Sequence, residues 1–378
     1  MSLRHLAVLG LLLALGWASA DASGTPASDR STAESTVVTP LRTLRSTTVA
    51  ELRESFMAWV APARCDADGN VFLLLVPPLG PRGSSGPTTP PRDAETRRVL
   101  RISADGGDAS YLDPARLAAF EDVDQVTTGS IALDPQGALF LLAWVPERGS
   151  FGRYASRQYI VSFDWWGRYR SRVALDPEEI AAGALEIFGS GEVLLLGHHT
   201  GWDAERIAVL HPGGRLRDVI GLPLEETAQR VASQRVKYVA RAASGRIYFA
   251  SADLPSVHVI DAVGHSRPAF DLAPMPGTQR LVGLSAAGPR LAATYFEKTP
   301  ETEAATGGGR YSVAVYDLKR GERAAVYGPI HGSPLCYAYA ESEDRFTVLQ
   351  DGNRLAVLGP SKGPTRFQAC GHDWASRD

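Results

Sequence analysis

Six units of about fifty residues, each spelling four short strands, predict an all-β protein: a six-bladed β-propeller with four-stranded antiparallel blades around a central channel. Three observations carry the prediction. A strand–turn–strand segment recurs six times, an alternating second hairpin follows each, and the second strand of each unit is apolar almost without interruption. Sheets with two apolar faces need both covered, and radial stacking of one sheet on the next covers both.

The first hairpins come in chain order. Asp66-Ala67-Asp68-Gly69 precedes NVFLLLV, Asp134-Pro135-Gln136-Gly137 precedes ALFLLAWV, and Gly189-Ser190-Gly191 precedes EVLLLG. Ala243-Ser244-Gly245 precedes RIYFAS, Ala286-Ala287-Gly288 precedes PRLAATYF, and Ser342-Glu343-Asp344 precedes RFTVLQ. The last turn residue is Gly in five units and Asp in the sixth, residue types that tolerate a positive φ in a hairpin. The second hairpins are RVLRISADGG, QYIVSFDWWGR, RIAVLHPGGR, VHVIDAVGH and SVAVYDLKRGE, with RLAVLGP in the sixth place. Prolines at 114, 177, 223, 274 and 329 mark the ends of the outermost strands, where a missing N–H breaks no ladder. The sixth unit has no clear fourth strand, and residues near 45–60 are expected to complete it.

The chain's beginning reads differently. Arg4 and His5 precede the apolar run Leu6–Leu15, and Ala18-Ser19-Ala20 is a small-residue cleavage site, so residues 1–20 read as a secretory signal peptide. Residues 21–48, rich in Ser, Thr and Ala, read as a flexible leader, and 49–378 as one propeller domain. No later segment is apolar for long enough to span a membrane, so the expectation is a secreted or periplasmic protein without an integral membrane segment. The 378 residues are 44% apolar and 21% charged, as in soluble domains. A net charge of −3 with no basic run excludes a nucleic-acid groove. In an oxidising compartment the three cysteines predict one disulfide and one free thiol. Cys65 stands one residue before its turn and Cys336 several before its own, at opposite ends of parallel inner strands. The expected pair is therefore Cys336 with Cys370.

The turn glycines and their Asp…Gly features resemble the six-bladed propellers of the NHL and gluconolactonase-like (TolB-like) type over nearly the whole mature chain. WD40 repeats are not matched, since no Gly-His…Trp-Asp pairs recur. The gluconolactonase-like type implies a channel metal held by a Glu, two Asn and an Asp. Only two asparagines exist here, and Asn70 and Asn353 both sit at turns, so that ligand set does not carry over. A peptide-amidating lyase type would need channel His and Tyr; Tyr337 and Tyr339 are inward candidates without matching histidines.

In this topology the turns within first and last hairpins share one face, while the long loops between second and third strands share the other. That loop-rich face is the expected binding surface, with Arg153, Tyr154, His198, His199, Trp202 and Tyr295 as ligand-binding candidates; Arg and aromatic groups give most contact energy per residue. His198 and His199 are adjacent and point to opposite sides, so no metal is assigned to them. Trp165-Trp166, in a tight turn, is expected to pack between blades. GLSAAG is not a nucleophile elbow, and GGGR at 307–310 is not a phosphate loop. The expected function is non-catalytic binding of a protein, glycan or small ligand, without a cofactor. The alternative is a hydrolase or lyase with one divalent metal ion in the channel.

Overall fold

The computed structural model describes residues 37–52, 61–75, 98–113, 117, 120, 126–146, 156–176, 181–198, 205–211, 216–221, 238–250, 256–273, 275, 279–298 and 309–361. All belong to the unit Thr36–Asp378; the unit Met1–Ser35, with the predicted signal segment, lies outside the described residues.

Strand β1 (Leu41–Thr48) leads into a 3-10 turn, Ala50–Leu52. The first blade holds β2 (Ala61–Cys65), β3 (Val71–Leu75), β4 (Arg98–Ile102) and β5 (Ala109–Leu112). The second holds β6 (Thr127–Leu133), β7 (Leu139–Pro146), β8 (Ser156–Phe163) and β9 (Tyr169–Ala174). The third holds β10 (Ala181–Ile187), β11 (Val193–His198), β12 (Glu205–Leu210) and β13 (Leu216–Gly221). Next come β14 (Tyr238–Arg241), β15 (Ile247–Ala250), β16 (Ser256–Ile260) and β17 (Ser266–Asp271). The fifth blade is β18 (Arg280–Ala287), β19 (Arg290–Lys298), β20 (Gly309–Asp317) and β21 (Arg323–Ile330). The sixth is β22 (Ser333–Ala340), β23 (Glu343–Gln350) and β24 (Arg354–Pro360), with β1 as its outer strand. The first five blades are antiparallel meanders in sequence order, the sixth is an antiparallel sheet closed by β1 on β24, and the innermost strands β2, β6, β10, β14, β18 and β22 touch in turn around a closed ring.

The unbroken apolar second strands follow from this stacking. In β3, Val71, Leu73 and Leu75 pack toward blade 6 with Leu335, Leu349 and Leu355, while Phe72 and Leu74 pack toward blade 2 with Ile131, Leu139 and Leu141. In β11, Val193 and Leu195 face blade 2, and Leu194 and Leu196 face blade 4. Period-two geometry sends alternate residues to opposite neighbours, so both sets must be apolar. Among the described residues the buried apolar side chains form six clusters, one at each junction between blades.

The tight turns are built by Asp and Gly together. Asp134 Oδ1 accepts the N–H groups of Gln136 and Ala138, both at 2.8 Å, and Gly137 takes a φ of 81°. Asp164 and Asp261 repeat the device before Gly167 and Gly264. The side chain satisfies turn N–H groups and glycine supplies the left-handed position.

Three expectations are corrected. Residues 41–48, expected in the leader, form a full strand, paired from Leu41 with Pro360 to Thr48 with Arg354. The sixth turn is Glu341-Ser342, with φ of 53° and 66°, so Asp344 lies inside β23 opposite Tyr339 and is buried. Trp165 and Trp166 stack on one another at 3.7 Å and stay 49% and 58% exposed, because a turn tip projects beyond the blade junction.

Candidate functional site

The last residues of five innermost strands, shortly before their turns, and the middle of the sixth, β22, surround a cavity of about 90 Å³. All six contribute to its wall: Arg64 and Cys65 from β2, Leu133 from β6, Glu186 from β10, Arg241 from β14, Ser285 from β18, and Leu335 to Tyr337 from β22. It is the tight-turn end of the central channel. Much of the wall is aliphatic, and against it stand three charges.

Arg64 of blade 1 reaches past blade 2 to Glu186 of blade 3, Nη2 to Oε2 at 3.3 Å. Glu186 is almost wholly buried, with 4% of its side chain exposed, and its Oε1 accepts the N–H of Ile187 at 3.2 Å. Arg241 of blade 4 reaches past blade 3: its Nη1 donates to the carbonyl of Leu133 in blade 2 at 2.6 Å and to that of Ile187 at 3.4 Å. Burial pushes the Arg241 guanidinium down from its ordinary value, with Glu186 and Asp134 opposing and Arg64 reinforcing. Strand bulges, between Ala61 and Arg64 in β2 and between Ala182 and Ala184 in β10, bend the strands that aim these side chains.

Cys65 and Cys336 form a disulfide in the same wall, with Cα atoms 6.0 Å apart. This overturns the expected Cys336–Cys370 pair; Cys370 itself lies outside the described residues. The reason is stagger. β2 is short and β22 long, so the middle of β22 lies beside the end of β2, and both cysteines meet in the junction of blades 6 and 1.

A second buried charge locks blades 5 and 6. Asp344 accepts Arg290 Nη1 on both oxygens, at 3.2 and 3.0 Å, the hydroxyl of Tyr337 at 2.6 Å, and that of Tyr327. Burial, then the Asp344 carboxylate, pushes both phenols well above their ordinary value. Tyr339 lies beneath the Arg290 guanidinium at 4.5 Å.

The sequence-predicted candidates fare differently. Arg153, Tyr154, His199 and Trp202 lie outside the described residues. His198 is the last residue of β11, opposite Glu205, and its side chain is likewise outside the description. Tyr295 is not on a rim: it is 7% exposed in the junction of blades 4 and 5, where burial and the neighbouring Tyr316 push its phenol up. Asn70 binds Asp66 and the N–H of Ala104 at the first turn, away from the channel wall. Among the described residues no group of three His, Cys, Asp or Glu stands ready for a metal ion. Sequence reasoning missed Arg64, Glu186 and Arg241, although a charge inside a first strand, shortly before the turn, was the available signal.

No family model matches the chain, and no curated protein does. Among solved structures, a protein of unknown function from Dyadobacter fermentans is similar with a TM-score of 0.51 at 9% identity, over 85% of this chain and 99% of that one. Virginiamycin B lyase from Staphylococcus aureus is similar with a TM-score of 0.45 at 11% identity, over 85% of this chain and 100% of that one. At these identities the likeness is one of fold.

Proposed function

We propose that this propeller is an exported, non-catalytic binding protein that takes a small ligand into the tight-turn end of its central channel. One observation supports this above the others: charged side chains from three blades converge on a cavity that all six innermost strands line. Packed apolar residues would brace the channel at a smaller desolvation cost, so charge held here is better explained as recognition chemistry. Export is supported by the apolar run before Ala18-Ser19-Ala20 and agrees with a disulfide, which persists in oxidising compartments. Kinship with NHL-like propellers is part of the same reading and rests on the repeated Asp…Gly turns.

The test is a thermal-shift screen of small acids, sugars and amines against three proteins. Ser285→Trp fills the cavity, and Arg153→Ala with Trp202→Ala strips the loop-rich face. Ligands that shift the wild type should lose their effect with Ser285→Trp and keep it with the double variant. The opposite pattern would move the site to the loop-rich face.

A further inference from the structure

We propose that the group recognised in this cavity is a small anion, a carboxylate or an inorganic oxyanion, held between the guanidinium groups of Arg241 and Arg64. The proposal rests on the channel reading above and names its ligand class. It follows from counting donors and acceptors around the cavity.

Two guanidinium groups and one carboxylate line the wall. The carboxylate is already used: Glu186 gives one oxygen to Arg64 and the other to the N–H of Ile187. The Tyr337 hydroxyl is turned to Asp344. Asp134, the other acid that acts on Arg241, spends Oδ1 on its own turn. Donors remain. Arg64 gives Nη1 to the carbonyl of Ala63 at 3.2 Å and Nη2 to Glu186, and its Nε is buried without a hydrogen-bond partner among the described residues. Arg241 places only Nη1 on carbonyls, so its Nε and Nη2, without a described partner, are the donors left for a ligand, with the Arg64 charge beside them. A guanidinium presents its N–H groups in a planar fork that matches a carboxylate or an oxyanion. A cavity of about 90 Å³ has room for such a group of a few heavy atoms. A cation would meet two like charges, and a neutral hydroxyl compound would leave the guanidinium charge uncompensated.

The experiment uses the full chain with 15N-labelled arginine, and reads the Nε–H signals of Arg64 and Arg241 during titration at fixed chloride. The probes are sodium acetate, sodium phosphate, and acetamide as the neutral match to acetate. Acetate or phosphate should shift both signals saturably, and acetamide should not; whichever anion binds more tightly identifies the source. Glu186→Gln keeps the side chain's shape, removes the competing charge, and should tighten anion binding about tenfold, whereas Arg241→Gln should weaken it at least tenfold. The gain in Glu186→Gln requires a folded site, so it separates recognition from mere bracing. Equal shifts with acetamide, or anion binding that Glu186→Gln leaves unchanged, would overturn the anion class. If the library screen finds ligands blocked by Ser285→Trp while neither anion acts, this proposal fails alone; if nothing binds in the channel, both fail.

Discussion

Gly137 is a position where one side chain would be felt through the backbone alone. A Cβ added there meets only ordinary contacts, Asp66 and Trp165 at 3.9 Å, so space is not the obstacle. The obstacle is its φ of 81°, a region that β-branched residues occupy at a cost of about 1–3 kcal/mol. Gly137→Val should lower the denaturation midpoint accordingly; an unchanged midpoint would mean that the turn relaxes without strain. Asp344 poses the opposite case, where the side chain is everything. Asp344→Ala leaves Arg290 and two buried hydroxyls without their acceptor and should destabilise by about 3 kcal/mol, read in urea unfolding. The same cluster sets an alkaline limit. Tyr327 and Tyr337 are raised in the fold above the 10.0 of an unfolded phenol. Their contribution is therefore complete below pH 10 and drains away as the pH climbs toward their folded values.

At the scale of the strand, period and turn chemistry were readable and side-chain aim was not. The run VFLLL predicted a strand covered on both faces, and its residues divide between blades 6 and 2 as alternation demands. Asp134 to Gly137 predicted a tight turn and forms one. The sixth turn was misplaced because Glu341 and Ser342 take left-handed backbone without a glycine to announce it, and that slip hid Asp344 in a supposed turn. The channel charges obeyed a pattern: Arg64 and Glu186 each stand five residues before their turn glycines, Gly69 and Gly191. A bulge shifts the register beside each, and a one-residue shift sends a side chain to the other face, so the pattern alone could not say which way they point. The cysteine pairing failed for a related reason. It depends on the stagger between two strands of different blades, a tertiary quantity that no local sequence encodes.

For the whole molecule, closure is made twice. The Cys65–Cys336 bridge joins the first blade to the sixth across 271 residues. Cross-links that close long loops restrict the unfolded chain, and removing such a bond typically costs about 2–5 kcal/mol. Cys65→Ser with Cys336→Ser should lose that much stability in urea while keeping the same far-ultraviolet spectrum; loss of the spectrum as well would make the bond a condition of folding. The other closure is non-covalent: β1 edges β24, and Thr39 adds a short parallel bridge to Tyr327. Its consequence is one of timing. β1 is synthesised before every other strand of the ring, and its partner β24 last. Until β24 arrives, the first strand waits without its mate, and blade 6 cannot be finished by any neighbour in sequence. An unpaired edge of that kind is the surface on which strands of other chains add. β1 meets the wait with Arg42, Arg45 and a run of hydroxyl side chains, five of its eight residues exposed in succession. A strand so polar is poor at recruiting strangers while it is alone, and it holds its place in the finished ring by main-chain pairing, with little apolar surface of its own.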